Sequence, residues 1–302
     1  MTGLRGTVLE RDGAVYRVAT PDGVVRAVLR GKVKRDTPHV VVGDRVLLDS
    51  EAGSGEVYGI AGVEERRTLL ERRTPEGRGT RPVAANIDRV YVVSATTRPD
   101  PIPQLIDRLL VVAEANHIPA AVVLNKIDLD PGEALAARFR KAGYEVFRTT
   151  VKSGEGIEAL RERLLNHVSV VTGPSGAGKS SLLNAIQPGL TLRTGEISRK
   201  IGRGTHTTVS AVMIPLEGGG YLVDTPGFSE VGVWDVDPRH LDECFPDMRP
   251  FVGGCRYGDC RHMSEPGCAI TQAAERGVID TDRLESYRML LAELEGQPKE
   301  WE

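Results

Sequence analysis

The chain has no run of eighteen apolar residues, so nothing in it reads as a membrane-spanning helix. Its first residues, MTGLRGTVLERDG, lack the apolar stretch of a secretory leader. Cysteine is scarce: there are four in 302 residues, three of them crowded between Cys255 and Cys268. That is too few, and too clustered, for a disulfide-stapled secreted scaffold. No internal repeat is visible, which argues against solenoids and propellers. The expectation is a cytoplasmic globular protein with no membrane association.

Charge of one sign is also lacking, since the net value is only −3. Its distribution is uneven, however. Residues 1–81 hold 15 Lys/Arg against 12 Asp/Glu, and the remainder is acidic. A basic front module is compatible with nucleic acid, and a solvated surface explains it nearly as well.

What is present divides the chain. Residues 1–71 read as short strands: GTVLERDGAVYRVAT turns at Asp12-Gly13, Pro21-Asp22-Gly23 leads into VVRAVLRG, and HVVVGDRVLLDS and EVYGIAGVEER follow. This pattern predicts a small barrel such as an OB-fold. Residues 72–87 are polar and Arg-rich, and read as a linker in which Arg72, Arg73, Arg78 and Arg81 could touch phosphates. From residue 88 to 237, strands RVYVVSA, AAVVLN, YEVFRTT, VSVVTG and YLVDT alternate with amphipathic helical stretches. That alternation predicts a mostly parallel α/β sheet. Residues 238–302 are a Pro/Gly/Cys-rich segment followed by a helical tail.

The segment GPSGAGKS, Gly173–Ser180, lies between the strand VSVV and the helix SLLNAI. Gly173, Gly176 and Gly178 permit a tight turn whose backbone N–H groups wrap phosphate oxygens at a helix N-terminus. Lys179 is expected to reach the β- and γ-phosphates, and Ser180 to ligate Mg²⁺. This specifies a nucleoside triphosphate without specifying the base. The base is read by NKID, Asn125–Asp128, at the carboxyl end of strand AAVVLN. Asp128 can accept from guanine N1–H and the exocyclic amine together, whereas adenine offers no such donor pair. Asn125 is expected to bridge back to the phosphate loop, with the Lys126 stem over the ring face.

DTPG, Asp224–Gly227, ends the strand YLVDT; Asp224 is expected to hold Mg²⁺ through water and the Gly227 amide to sense the γ-phosphate. Phe228 follows where Ras-like enzymes place a water-orienting Gln close by, so slow intrinsic hydrolysis is expected. GRGTHTTV, 202–209, occupies the switch I position. There Thr207 or Thr208 offers a hydroxyl to Mg²⁺, and His206 is a candidate for positioning water, with an ordinary loop histidine as the alternative. Thr150-Val151-Lys152 loosely matches a guanine-contacting Ser-Ala-Lys loop. These elements run in permuted order, with NKID before the phosphate loop, so switch II leads directly into the C-terminal segment.

That segment contains Cys255-x₄-Cys260-x-His262-x₅-Cys268. Three thiolates and an imidazole match a closed structural zinc site, although the Cys-x₂-Cys hook is missing. Cys244 reads as a core residue.

Taken together, the order barrel, NKID, GPSGAGKS, GRGTHTT, DTPGF, Cys-x₄-Cys-x-His-x₅-Cys resembles the bacterial ribosome small-subunit-dependent GTPase A family, RsgA (YjeQ), over essentially the whole chain. The resemblance implies an N-terminal OB-fold, a circularly permuted P-loop GTPase domain and a C-terminal zinc-binding domain. It implies GTP and GDP as ligands, held by Asn125, Lys126, Ile127, Asp128, Gly173, Pro174, Ser175, Gly176, Ala177, Gly178, Lys179, Ser180 and Ser181 with Asp224 and Gly227. Mg²⁺ would lie on Ser180, Thr208 and Asp224, and one Zn²⁺ on Cys255, Cys260, His262 and Cys268. The implied partner of this monomer is the small ribosomal subunit and its 16S rRNA, which stimulates hydrolysis during late maturation. One departure is Thr205, where the family usually has Lys or Arg before the switch I histidine. Two alternatives stay open: an ATPase or nucleotide kinase using the same loop, and an RNA-binding assembly factor for which nucleotide is a structural ligand.

Overall fold

A computed structural model of the protein describes residues 4–29, 39–49, 57–73, 80–190, 211–225 and 236–296. Five strands come first: β1 (Leu4–Asp12), β2 (Val15–Thr20), β3 (Gly23–Leu29), β4 (Arg45–Asp49) and β5 (Val57–Val63). The first three form an antiparallel meander. Strand β5 runs parallel to β3 and antiparallel to β4, and β4 returns to β1, closing a five-stranded barrel. Alternation along these strands turns Val8, Tyr16, Val18, Ala27, Val46, Leu48 and Ile60 inward, into a core of their own. Of the segment HVVVGDRVLLDS only residues 45–49 are strand. Its front half turns at Gly43, where φ is +89°, and Val42 makes a lone bridge to Ala84.

A hairpin, β6 (Leu69–Arg73) and β7 (Thr80–Ala85), begins at the end of the stretch read as barrel and takes up much of residues 72–87, read as a linker. Leu70, Ala84 and Ala85 are buried and pin it. Arg66, just before it, clasps buried Asp44 through both carboxylate oxygens, at 2.7 and 2.9 Å.

The α/β unit contains β8 (Arg89–Ala95), α1 (Pro103–Ala115), β9 (Ala120–Asn125), α2 (Glu133–Lys141), β10 (Glu145–Thr149), α3 (Ile157–Leu164), β11 (Val168–Thr172), α4 (Lys179–Ile186), β12 (Val212–Pro215) and β13 (Tyr221–Asp224). Strands β8 and β9 coincide with the runs RVYVVSA and AAVVLN. Each is apolar along nearly its whole length because both faces of a parallel sheet are covered. The sheet order is β10-β9-β8-β11-β13-β12, and only β12 is antiparallel to its neighbour. Glu10 of β1 pairs with Val212 of β12, so barrel and α/β sheet form one continuous eleven-stranded sheet.

The C-terminal region opens with short 3₁₀ turns at Pro238–His240, Asp242–Cys244 and Arg249–Phe251, then α5 (Ala269–Glu275) and α6 (Thr281–Glu295). Asp280 caps α6 by accepting from the amides of Asp282 and Arg283. Helix α6 packs on α1, and Phe245, Met248, Tyr287 and Leu291 share one core with Ile106, Leu110 and Phe139. Inside that contact, Arg283 donates to Asp107 at 2.5 Å and takes Asp247 bidentately at 2.8 and 2.9 Å. Arg138 of α2 binds the other oxygen of Asp107 at 3.0 Å. Burial pushes the Asp107 carboxyl upward against the pull of Arg283 and Arg138. Among the described residues no helix is long and apolar enough to cross a membrane.

Candidate nucleotide site and metal centre

The chain leaves β8 in one direction, through β9 to β10, and returns to β11 before continuing the other way to β13 and β12. Strands β8 and β11 are neighbours, so the loops at their carboxyl ends diverge and open a crevice. Gly173 begins the phosphate loop there with φ +141°, and a Cβ on it would lie 2.0 Å from the Val93 carbonyl. Gly178, at φ +87°, precedes α4; a Cβ there would meet Asn125 Nδ2 at 2.5 Å. Both positions require glycine because another strand end presses against the loop.

Asn125, buried at the end of β9, donates from Nδ2 to the Ala177 carbonyl at 3.0 Å. This is the bridge expected from the sequence, and it ties the base-reading loop to the phosphate loop. Thr149 steadies the same residue by donating to its Oδ1 at 3.3 Å. Lys126 sits at φ +66°, and its ammonium donates to the carbonyls of Gly176, at 2.8 Å, and Arg98. The Ile127 amide donates to Thr149 O at 3.3 Å.

Asp128 is exposed, and its Oδ1 accepts from the Thr150 hydroxyl at 2.6 Å. A carboxylate offers about four acceptor sites, so this bond leaves enough for two guanine donors. Thr150 in turn accepts from the Lys152 amide at 3.2 Å. The weakly matching Thr150-Val151-Lys152 loop therefore orients the carboxylate. Thr96, which the sequence did not single out, donates to the carbonyls of Asn125 and Lys126 at 3.3 and 3.1 Å.

In the phosphate loop, Lys179 Nζ lies on the carbonyls of Gly173 and Pro174, at 2.6 and 2.9 Å. Ser180 and Ser181 are exposed in the first turn of α4, while Ser175 and Gly176 are exposed, Pro174 is half-buried and Ala177 is buried. Asp224 ends β13, which runs parallel to β11 with Val223 opposite Val170. Strand β13 thus ends at the same sheet edge as the phosphate loop, which fits a Mg²⁺ held between Ser180 and Asp224. His206, Thr207, Thr208, Gly227, Thr205, Phe228 and Arg78 lie outside the described residues, as do the side chains of Arg72 and Arg73. Arg81 is exposed.

The second centre is assembled in irregular chain. Cys255, Cys260, His262 and Cys268 bring their ligand atoms within 4.8 Å of one another. His262 Nδ1 stands 3.5, 3.5 and 3.3 Å from the three sulfurs, and Cys255 and Cys268 are 3.9 Å apart. Donors at about 2.0–2.3 Å around a tetrahedral zinc stand about 3.5–3.8 Å apart, so this donor set fits that ion. Backbone amides of Ala269 and Thr271 donate to Cys255 and Cys268 at 3.3 and 3.4 Å, which favours thiolates.

His262 turns its Nε2 to Asp242 at 3.2 Å, fixing the tautomer that leaves Nδ1 to bind metal. Burial pushes the Asp242 carboxyl up, but its hydrogen bond with His262 helps hold it below the ordinary range. Nothing in the residue pattern points to Asp242 beyond its place in DECFPDM. Cys244 in that segment is buried in the core, as expected, and burial pushes its thiol up to about 12.

A model of the RsgA GTPase family matches residues 63–234. Small ribosomal subunit biogenesis GTPase RsgA of Gemmatimonas aurantiaca is 44% identical, with 98% of this chain and 99% of that protein aligned. The Moorella thermoacetica protein of the same name is 41% identical over 96% of this chain and 97% of its own length. The crystal structure of YjeQ from Thermotoga maritima superposes with a TM-score of 0.80 at 34% identity, covering 98% of this chain and 99% of that one. YloQ, described as a circularly permuted GTPase, superposes at 0.77 with 28% identity over 98% and 97% of the two chains. With the base-reading loop, phosphate loop and Cys₃His cluster in the places and order described, the chain belongs to the RsgA GTPase family.

Proposed function

We propose that this protein is a GTP hydrolase that binds the small ribosomal subunit and acts as a checkpoint in its late maturation, with the subunit stimulating hydrolysis. The supporting observation is the Asn125–Ala177 hydrogen bond, which locks guanine recognition onto the loop that holds phosphates. GTP binds at the carboxyl ends of β9 and β11. Asp128, oriented by Thr150, selects guanine; the Lys126 stem covers the ring; amides of Gly173–Ser181 hold the phosphates, and Gly227 senses the γ-phosphate. On nucleotide binding Lys179 exchanges its two loop carbonyls for phosphate oxygens. Ser180, Thr208 and Asp224 would hold Mg²⁺, which would supply charge neutralisation at the β- and γ-phosphates. His206, with Thr207 and Thr208 beside it, positions the attacking water.

The barrel and zinc domain meet 16S rRNA through backbone charge and stacking. The protein works as a cytoplasmic monomer with one Zn²⁺ on Cys255, Cys260, His262 and Cys268. Its domains are the barrel (1–71), a linker (72–87), the GTPase unit (88–237) and the zinc unit (238–302). The test is GTP hydrolysis measured alone and with small subunits, large subunits or whole ribosomes. A large acceleration specific to small subunits is expected; equal rates in all four assays would refute the partner.

A further inference from the structure

We propose that Arg98 is a nucleotide ligand whose guanidinium contacts the β- and γ-phosphates of bound GTP from the outer side of the phosphate loop. Arg98 lies in the loop that leaves β8, opposite the phosphate loop across the crevice where strand order reverses. That is where an open α/β sheet binds its ligand. Two contacts place it closely. The Lys126 ammonium bonds the carbonyls of Arg98 and Gly176 at once, and a Cβ on Gly176 would lie 3.0 Å from Pro99 Cδ.

Arg98 holds φ +49°, a region non-glycine residues seldom occupy. Its side chain is exposed and has no ion pair or hydrogen bond among the described residues. The acid beside it does not take it, since Asp100 instead accepts from Thr97 at 3.5 Å. A free guanidinium, with its backbone clamped to the phosphate loop, matches phosphate geometry better than an ammonium does. An arginine supplied from the same chain also stabilises the charge that develops in phosphoryl transfer. Here such a group would contribute before any partner binds.

The inference rests on the nucleotide position proposed above. Its test uses the full chain without ribosomes. Binding of a fluorescent GDP and a fluorescent non-hydrolysable GTP analogue, and single-turnover hydrolysis, are measured for Arg98→Asn and Arg98→Lys. Asparagine tolerates the left-handed backbone, and lysine keeps the charge but loses the fork. For Arg98→Asn, analogue affinity is expected to fall about tenfold, GDP affinity by less, and the hydrolysis rate with them. Arg98→Lys should lie between, and the melting temperature of nucleotide-free protein should not move.

Parent-like binding and turnover in Arg98→Asn would overturn the assignment. If Arg98→Asn melts early, Arg98→Lys decides: parent-like affinity in a stable Lys variant overturns it, and weakened analogue binding upholds it. Asp128→Ala separates the two failures. Retained guanine selectivity there sinks the nucleotide placement itself, whereas lost selectivity with an unaffected Arg98→Asn sinks only the role of Arg98.

Discussion

The proposed guanine site and the Cys₃His centre gather their groups by opposite means. Asn125 and Ala177 are far apart in sequence and meet because β9 and β11 are held in one parallel sheet. The three cysteines and the histidine of the second centre fall within fourteen residues, Cys255 to Cys268, yet stand in irregular chain. In the first case the fold makes the site, and the ligand arrives at a place already hydrogen-bonded together. In the second a bound ion would supply much of what holds the chain, with His262 braced by Asp242 and by Arg288, which donates to the His262 carbonyl at 3.1 Å.

That contrast predicts its own breaking points. Stripping the metal, or Cys260→Ser, is expected to unfold residues 238–296 locally, because structural zinc is worth on the order of 10 kcal/mol in small sites. Circular dichroism and proteolysis with and without chelator read this, together with metal analysis giving about one zinc per chain. A guanine site that still binds GDP afterwards would support the contrast. Loss of both together would show that the centres fold as one.

Next in size is the link between them. Asp107→Ala leaves Arg283 and Arg138 buried without their shared carboxylate, at a cost of about 3–5 kcal/mol. A double-mutant cycle with Arg283→Met should recover part of that loss, and additive losses would remove the coupling.

Asp128→Ala is expected to lower the GTP-over-ATP preference by about a hundredfold or more, because a lost charge-assisted pair to the base leaves its donors unpaired. Competition binding reads it. The smallest effect belongs to Thr150→Val, which removes one hydrogen bond to that carboxylate and should weaken GDP by about 1 kcal/mol. No change would mean that Asp128 needs no brace.

Much of the α/β unit was legible because buried parallel strands are continuous apolar runs bounded by turns, as in RVYVVSA and AAVVLN. The barrel was legible as a class through its alternation. The β6–β7 hairpin was not, since the polar, Arg-rich run of sequence hides three apolar anchors, Leu70, Ala84 and Ala85, whose burial depends on what docks over them. Nothing in the sequence singles out Asp107, Arg138, Asp247 or Arg283, because their pairing exists only once α1, α2 and α6 meet. Asp242 and Thr150 escaped for a similar reason: a brace is defined by its partner in space.

The meeting of Glu10 with Val212 has a consequence for synthesis. As the polypeptide is made from its amino end, β1 emerges early, and almost the entire GTPase unit must be translated before β12 exists to receive it. The barrel can close on itself first, through β4, and dock late. Permutation orders the proposed nucleotide pocket in the same way: Asn125–Asp128 is finished and waiting before Gly173–Ser180 has been translated.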